Sequence, residues 1–401
     1  MRVLAVAPTP FFGDYGCHVR IFEEVTALAA HGVTTTIVTY PFGRDLPGIA
    51  IHRAARSRRH RIIAPGSSSQ KFALDVALLA RTLAVARQTR PHLIHGHLHE
   101  GALVGWLVSR LRGVPLVFDF QGSLTAEMVD HGFLAPRGPA HAGFHLLERW
   151  IVRRADAIVT STMQGAQFLV DEFGCLPSRI HAVPDGVNVE RFAPIGGDEA
   201  RRVRAAELRA ALGIPASRPV VAYLGLLAEY QGITHLLRAA ETLIGEGVNA
   251  HFLVMGHPGE ARYRILAERL GLADRVTFTG AIPYEHAPDY LALADVAVSP
   301  KLSLTEGNGK LLNYIAMGLP TVTYDTRVSR EILGELGIYA PPGDWSALAI
   351  ELKGALRDPN AAHSRGKALR RKAMADHQWA DSVQTLLAVY ERLLSPQPAR
   401  R

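Results

Sequence analysis

One stretch restricts the fold more than any other. Residues 294–326 alternate between buried and polar character in the order strand, loop, helix, strand. Asp295 precedes Val296, Ala297 and Val298, an apolar run short enough to be a strand covered on both faces. A polar loop follows at 299–310, with Glu306, Gly307, Asn308 and Gly309 between two lysines, Lys301 and Lys310. Leu311, Leu312, Ile315 and Ala316 recur at helical spacing, and Gly318-Leu319-Pro320 ends that helix. Thr321 to Tyr324 then reads as the next strand. A loop at the carboxyl end of a parallel strand is where open α/β sheets bind ligands. The amides of Gly307, Asn308 and Gly309, with a helix N-terminus behind them, suit phosphate. Glu306, once ionised, only accepts hydrogen bonds, so it suits hydroxyl groups. Hydroxyls beside phosphates point to a sugar nucleotide. The run is not a P-loop, because Leu304 and Leu311 stand where that motif needs Gly and Ser or Thr.

The same alternation recurs along the chain. Strands are expected at 3–7, 33–40, 93–94, 114–120, 155–160 and 180–183, and again at 220–225, 251–255 and 276–282. Helical patterns separate them, at about 18–30, 72–88, 146–154 and 379–394 among others. At 401 residues, two or three domains can each bury a core. Two cysteines, Cys17 and Cys175, make neither a disulfide framework nor a zinc pattern, and a reducing cytosol is the simplest compartment. The start at 1–8 is too short for a signal peptide, and no apolar run reaches membrane-spanning length. His95, His97 and His99 alternate, but no cysteine or further carboxylate is placed to complete a tetrahedral metal set, so no metal site is expected.

The net charge of +7 suits anionic ligands, a membrane surface or nucleic acid, and only the first two have local support. No acid occurs between Leu46 and Leu74, where Arg53, Arg56, Arg58, Arg59, Arg61 and Lys71 fall. That cluster has three readings: a solvated face, a contact with anionic lipid, or a hold on an acceptor phosphate.

The stretch 294–326 resembles the donor-binding motif of the retaining GT-B glycosyltransferases of the family 4 type, also called glycosyl transferases group 1. Glu306-Gly307-Asn308-Gly309 and Ala316-Met317-Gly318-Leu319-Pro320 carry the resemblance, and the order of the other motifs extends it over almost the whole chain. It implies an α/β fold of two doubly wound Rossmann-like domains facing across a cleft. The expected division is an acceptor domain at 1–195, a donor domain at 196–375, and a C-terminal helix at 376–401 returning to the first domain. It further implies transfer of a sugar from a nucleoside-diphosphate sugar to a hydroxyl acceptor, with retention and without a metal. Acceptors of this class include glycolipids, polysaccharide precursors and small molecules. The nucleotide sugar is a co-substrate, and no cofactor is expected. The resemblance places Glu306, Gln121 and His99 at the reacting sugar. It places Gly16, Gly225, Gln231, Gly256, Ile282, Lys301, Gly307, Asn308, Gly309, Lys310 and Asn313 around the donor. Arg56, Arg58, Arg59 and Lys71 are left for an acceptor or the inner face of the plasma membrane.

Four departures from the family pattern stand out. Asn313 replaces the second Glu of the motif, and Gln121 replaces a histidine that often contacts the donor sugar. Gly16-Cys17 keeps only the first of a usual glycine pair. Most seriously, Leu226 and Gln231 stand where the family holds the diphosphate with Arg and Lys. A diphosphate without compensating charge loses its water with little return. Either Lys301 and Lys310 replace that charge from the other side, or the donor is held differently, or the chain binds a nucleotide sugar or glycan without turning it over. A GT-B epimerase ranks last, lacking its acidic and histidine pattern.

Overall fold

The computed structural model describes residues 1–56, 71–130, 132–303 and 307–395. These residues form two parallel sheets. The first is built from β1 (Arg2–Ala7), β2 (Thr34–Thr39), β3 (Ala50–Arg53), β4 (Leu93–His97), β5 (Leu116–Phe120), β6 (Ala157–Thr160) and β7 (Ile180–Ala182), in the order β3-β2-β1-β4-β5-β6-β7. The second holds β8 (Val220–Leu224), β9 (His251–Met255), β10 (Val276–Gly280), β11 (Val296–Ser299), β12 (Thr321–Tyr324) and β13 (Ile338–Ala340), in the order β10-β9-β8-β11-β12-β13. Helices cover both faces, which is why the central strands read as continuous apolar runs rather than alternating ones.

In each sheet the strand order reverses once, between β1 and β4 and between β8 and β11. Loops leaving neighbouring strands at such a point diverge to opposite faces, and the gap between them is a ready crevice. The loops after β1, β4, β8 and β11 all open onto one cavity between the two sheets.

The helix Glu199–Ala211 packs on Ala287–Leu291 of the second unit, and Pro359–Asp376 packs on Lys310–Ala316. The last helix, Trp379–Leu394, goes the other way. Its buried Val383, Leu386, Val389 and Tyr390 join Val3, Leu28, Leu93, Val117 and Val159 in one cluster under the first sheet. The chain therefore crosses between the units twice. The two crossings lie side by side, with the Val187 amide donating to the His377 carbonyl at 2.8 Å. Gly186 is required there, because a Cβ would lie 2.5 Å from the Trp379 nitrogen.

Candidate functional site

The cavity between the units has a volume of about 370 Å³. On its second-unit side, Gly225 leaves β8 in a backbone conformation open to glycine (φ 142°). A Cβ at Gly225 would sit 2.9 Å from Lys310 Nζ, and one at Gly256 would sit 1.8 Å from the Gly225 carbonyl oxygen. Gly256 does not line the cavity. It supports the Gly225 turn from beneath rather than facing a donor, because the neighbouring strand loops stack backbone on backbone here.

Lys310 is the first residue of the helix Lys310–Ala316 and reaches back across the cavity wall. Its ammonium donates to Gln231 Oε1 at 2.7 Å and to Tyr223 Oη at 3.1 Å, and lies over the Tyr223 ring. A lysine from the far loop thus occupies the neighbourhood of Gly225 and Gln231. Lys301 does something different. It is largely buried, lines the cavity and donates to the Gly307 carbonyl at 2.7 Å, which steadies the 307–309 turn. Asn308 turns its side chain inward, exchanging hydrogen bonds with Ser299 Oγ at 3.1 and 3.2 Å. The helix spans seven residues, so its dipole is a minor source of positive potential beside the Lys310 ammonium. Asn313, Ile282, Gly16 and Gln231 line the same cavity. Glu306, Arg58 and Arg59 lie outside the described residues.

The first-unit side is a buried charge network. Arg20, on the helix Gly16–Ala30, donates to both oxygens of Asp119 at 2.9 to 3.1 Å, and also to Asp185 and the Val183 carbonyl. Burial alone would weaken the Arg20 charge, but Asp119, Asp185 and Glu24 more than offset it and the guanidinium stays charged. Burial alone would likewise raise Asp119, yet Arg20 and His97 hold its carboxyl far below the usual range. Asp185 goes the other way: burial raises its carboxyl despite Arg20. Asp185 also faces the opposite loop, with Oδ2 3.8 Å from where a Cβ on Gly307 or Gly309 would stand. Ser161 Oγ is 3.2 Å from the same Gly307 point.

Gln121 lines the cavity and donates its amide to Asp119 Oδ2 at 2.7 Å. It is held by the network rather than loose in the cleft. His97 does not reach the cavity; its Nδ1 donates to Asp119 at 2.9 Å and burial lowers its pKa. His99 does line it, but its ring is wedged between Phe118 and Phe120, with Nε2 3.1 Å from Glu148 Oε1. Leu98 takes a left-handed conformation (φ 59°), which breaks the strand alternation and sends His99 away from His95 and His97. His95 and His97 stack at 4.4 Å, and their nitrogens come within 4.8 Å of Glu24 and Asp119 carboxylate oxygens. The sequence reading missed those two carboxylates as neighbours of the histidines. Asp119 is nonetheless taken up by Arg20, His97 and Gln121, and His95 Nδ1 by Tyr390 and Glu24. The four groups form a shared proton and charge network, and we assign no cation to it.

At the far end, Lys71 pairs with Glu100 at 2.7 Å and Tyr40 donates to Asp75 at 2.5 Å. Lys71, Glu100, Tyr40 and Glu127 line the cavity there. Arg56 does not; it stacks over Phe42 at 5.3 Å. Across the rim, Arg44 bridges Asp14 of the first unit and Glu285 of the second, at 3.0 and 2.8 Å.

Comparison with known sequences bears on this geometry. The family described as "Glycosyl transferases group 1" matches residues 205–372, and "Glycosyl transferase 4-like domain" matches 15–186. A D-inositol 3-phosphate glycosyltransferase of Acidothermus cellulolyticus is 30% identical, covering 96% of this chain and 88% of that protein. The chain belongs to the group 1 glycosyl transferases. A 2-deoxystreptamine glucosyltransferase of Streptomyces kanamyceticus is also similar to this glycosyltransferase, at 27% identity over 94% of the chain and 99% of that protein. Among solved structures, sucrose-phosphate synthase of Thermosynechococcus elongatus superposes with a TM-score of 0.83 at 21% identity, over 98% and 99% of the two chains. Anabaena HepE in complex with UDP-glucose does so at 0.78 and 15%, over 99% and 100%. The glycosyltransferase therefore has the GT-B fold expected from its motifs, with two facing Rossmann-like units.

Proposed function

We propose that this glycosyltransferase moves a sugar from a nucleoside-diphosphate sugar to a hydroxyl acceptor, retaining the anomeric configuration and using no metal ion. One observation carries the reading. The Lys310 ammonium is delivered to the Gly225–Gln231 wall, beside the 307–309 turn, in a chain whose Leu226 and Gln231 bring no charge of their own. A leaving diphosphate there meets a cation and backbone donors already in place, which stabilises developing charge without solvent rearrangement. The reaction breaks the bond between the anomeric carbon and the diphosphate and forms one to the acceptor oxygen. The acceptor proton leaves with the departing group.

The donor sugar then lies toward Asp185 and Gln121, and the acceptor toward Tyr40, Lys71 and Glu100. Relatives named for D-inositol 3-phosphate and 2-deoxystreptamine, and a neighbour holding UDP-glucose, support a nucleotide donor and a hydroxylated ring acceptor. A glycolipid or other lipid-linked acceptor would enter by the same end, and cytoplasmic action is the simplest setting.

Leu226 and Gln231 favour a second reading, a protein that binds the donor without turnover. A panel of nucleotide sugars separates the two. Free nucleotide released with acceptor, and an α or β product matching the donor anomer by NMR, supports transfer with retention; activity surviving EDTA supports metal independence. A rise in melting temperature with one donor and no release with any acceptor supports the binder. Lys310→Ala together with Gln231→Lys, which moves the cation back across the wall, should recover donor affinity lost in Lys310→Ala alone. Unchanged affinity in Lys310→Ala removes the charge-relocation argument.

A further inference from the structure

Two helices of the first unit carry an outer face that the transfer reaction does not use. Pro139–Val152 packs on Leu98–Arg112 through Trp150 and Trp106, whose rings meet edge to face at 5.1 Å. Arg154 lies over both rings, at 4.6 and 5.5 Å. Outward from this seam, Leu146 is 63% exposed and Leu111 71%, and Leu107, Leu147 and Trp150 are exposed with them. Leu146 and Trp150 are one helical turn apart, as are Leu107 and Leu111, so each helix turns an apolar stripe to solvent.

The charge on this face has one sign. Arg110, Arg112, Arg149 and Arg154 are exposed, while Arg153, also exposed, turns its guanidinium to the Phe173 carbonyl at 2.8 and 3.0 Å. The acids of the two helices are elsewhere: Glu100 is paired with Lys71 in the cavity wall, and Glu148 is fully buried. Exposed leucine and tryptophan flanked by arginine, with no exposed carboxylate on either helix, is the composition of a surface that lies in a membrane interface. Arginines add electrostatic attraction to anionic headgroups while leucines enter the acyl boundary. A second copy of the chain on this face would set arginines against arginines. A soluble polyanion would leave the leucines in water.

We infer that this two-helix face docks the enzyme on an anionic bilayer surface, with Leu107, Leu111, Leu146, Leu147 and Trp150 inserted and the arginines at the headgroups. No described helix is long and apolar enough to cross a membrane, so the contact is interfacial. The N-terminal ends of helices Lys71–Thr89 and Leu98–Arg112 line the cavity, and the apolar stripe lies farther along the second of them. Docking therefore leaves the cleft open to the solution.

Flotation of the full chain with vesicles tests this. The protein should rise with vesicles of equal phosphatidylglycerol and phosphatidylcholine and stay behind with pure phosphatidylcholine. Leu146→Ser with Leu147→Ser, and separately Arg110→Glu with Arg149→Glu, should each lower the vesicle-bound fraction on the order of tenfold. Melting temperature, and turnover on a soluble acceptor, should not move in either variant. Three results overturn the inference. One is equal partition onto neutral and anionic vesicles. Another is flotation unaffected by both variants but lost in Arg58→Glu with Arg59→Glu, which assigns docking to the basic segment instead. The third is a dimer by light scattering that Leu146→Ser abolishes, which makes the face a protein interface.

Discussion

The two walls of the cleft solve the same problem in opposite ways. The first-unit wall is framed by side chains that satisfy one another: Arg20 with Asp119 and Asp185, Gln121 with Asp119, and Lys71 with Glu100. The second-unit wall is made of backbone turns, at Gly225 and 307–309, with Gly256 supporting the first from beneath and lysines along their edges. Paired charges fix a shape before any ligand arrives, at the cost of drying each ion. Turns leave amide groups facing the cavity, where an anion can take them up. The contrast teaches that the first-unit wall is held by side chains and the second-unit wall by the path of the chain.

The first prediction breaks the paired wall. Arg20→Ala leaves Asp119 and Asp185 buried without their cation, and should cost about 3–5 kcal/mol of stability. Urea unfolding measures it, and a loss near zero would mean the network is not the frame of that wall. Replacing Lys310 by Ala should leave unfolding nearly unchanged.

The second uses pH on the same wall. Burial opposes ionisation of Glu148, but His99 and Thr125 outweigh it and hold its carboxyl down to about 2. A carboxyl held below its unfolded value adds stability that is complete above about pH 5 and disappears as pH falls toward 2. That share is about 2–3 kcal/mol. Glu148→Gln should flatten the fall of stability between about pH 5 and 2, read from melting curves across that window.

The third turns to the other wall. Loss of a charge-assisted contact is about 1.5–3 kcal/mol, so Lys310→Ala should weaken binding of a nucleoside diphosphate about tenfold to a hundredfold by calorimetry. The smallest effect is expected for Gly307→Ala. Its Cβ would meet Ser161 Oγ at 3.2 Å, so the walls must part by a few tenths of an ångström. Donor KM should rise a few-fold with kcat less affected, and an unchanged KM would show that the walls do not need to meet there.

The second-unit wall was the more legible half in the sequence. Glycines and lysines between apolar runs have few physical explanations, and the 294–326 pattern folds as read, from β11 through the Lys310–Ala316 helix to β12. The first-unit wall was not legible. Arg20 sits in an amphipathic helix, and only contact with Asp119, ninety-nine positions away, makes it a buried residue. Glu24 and Glu148 are hidden for the same reason, since a carboxylate in a helix reads as solvated until its partner is known. Short elements were also missed. β3 is four residues with little alternation, set by pairing with β2 at the sheet edge, and Leu124–Asp130 follows a loop with no apolar period. Pro139 at the first turn starts a helix seven residues before its apolar stripe begins, because proline is pre-set for that position.

The paired crossings at Val187 and His377 carry a mechanical meaning. Two chain segments tied side by side cannot twist independently, so the halves of the enzyme are joined by a hinge pin rather than a ball joint. A swing about that pin would be greatest at the rim where Arg44 clasps Glu285 and least beside Trp379. Spin labels across that rim should report a single widening coordinate, with nothing resembling a sideways shear.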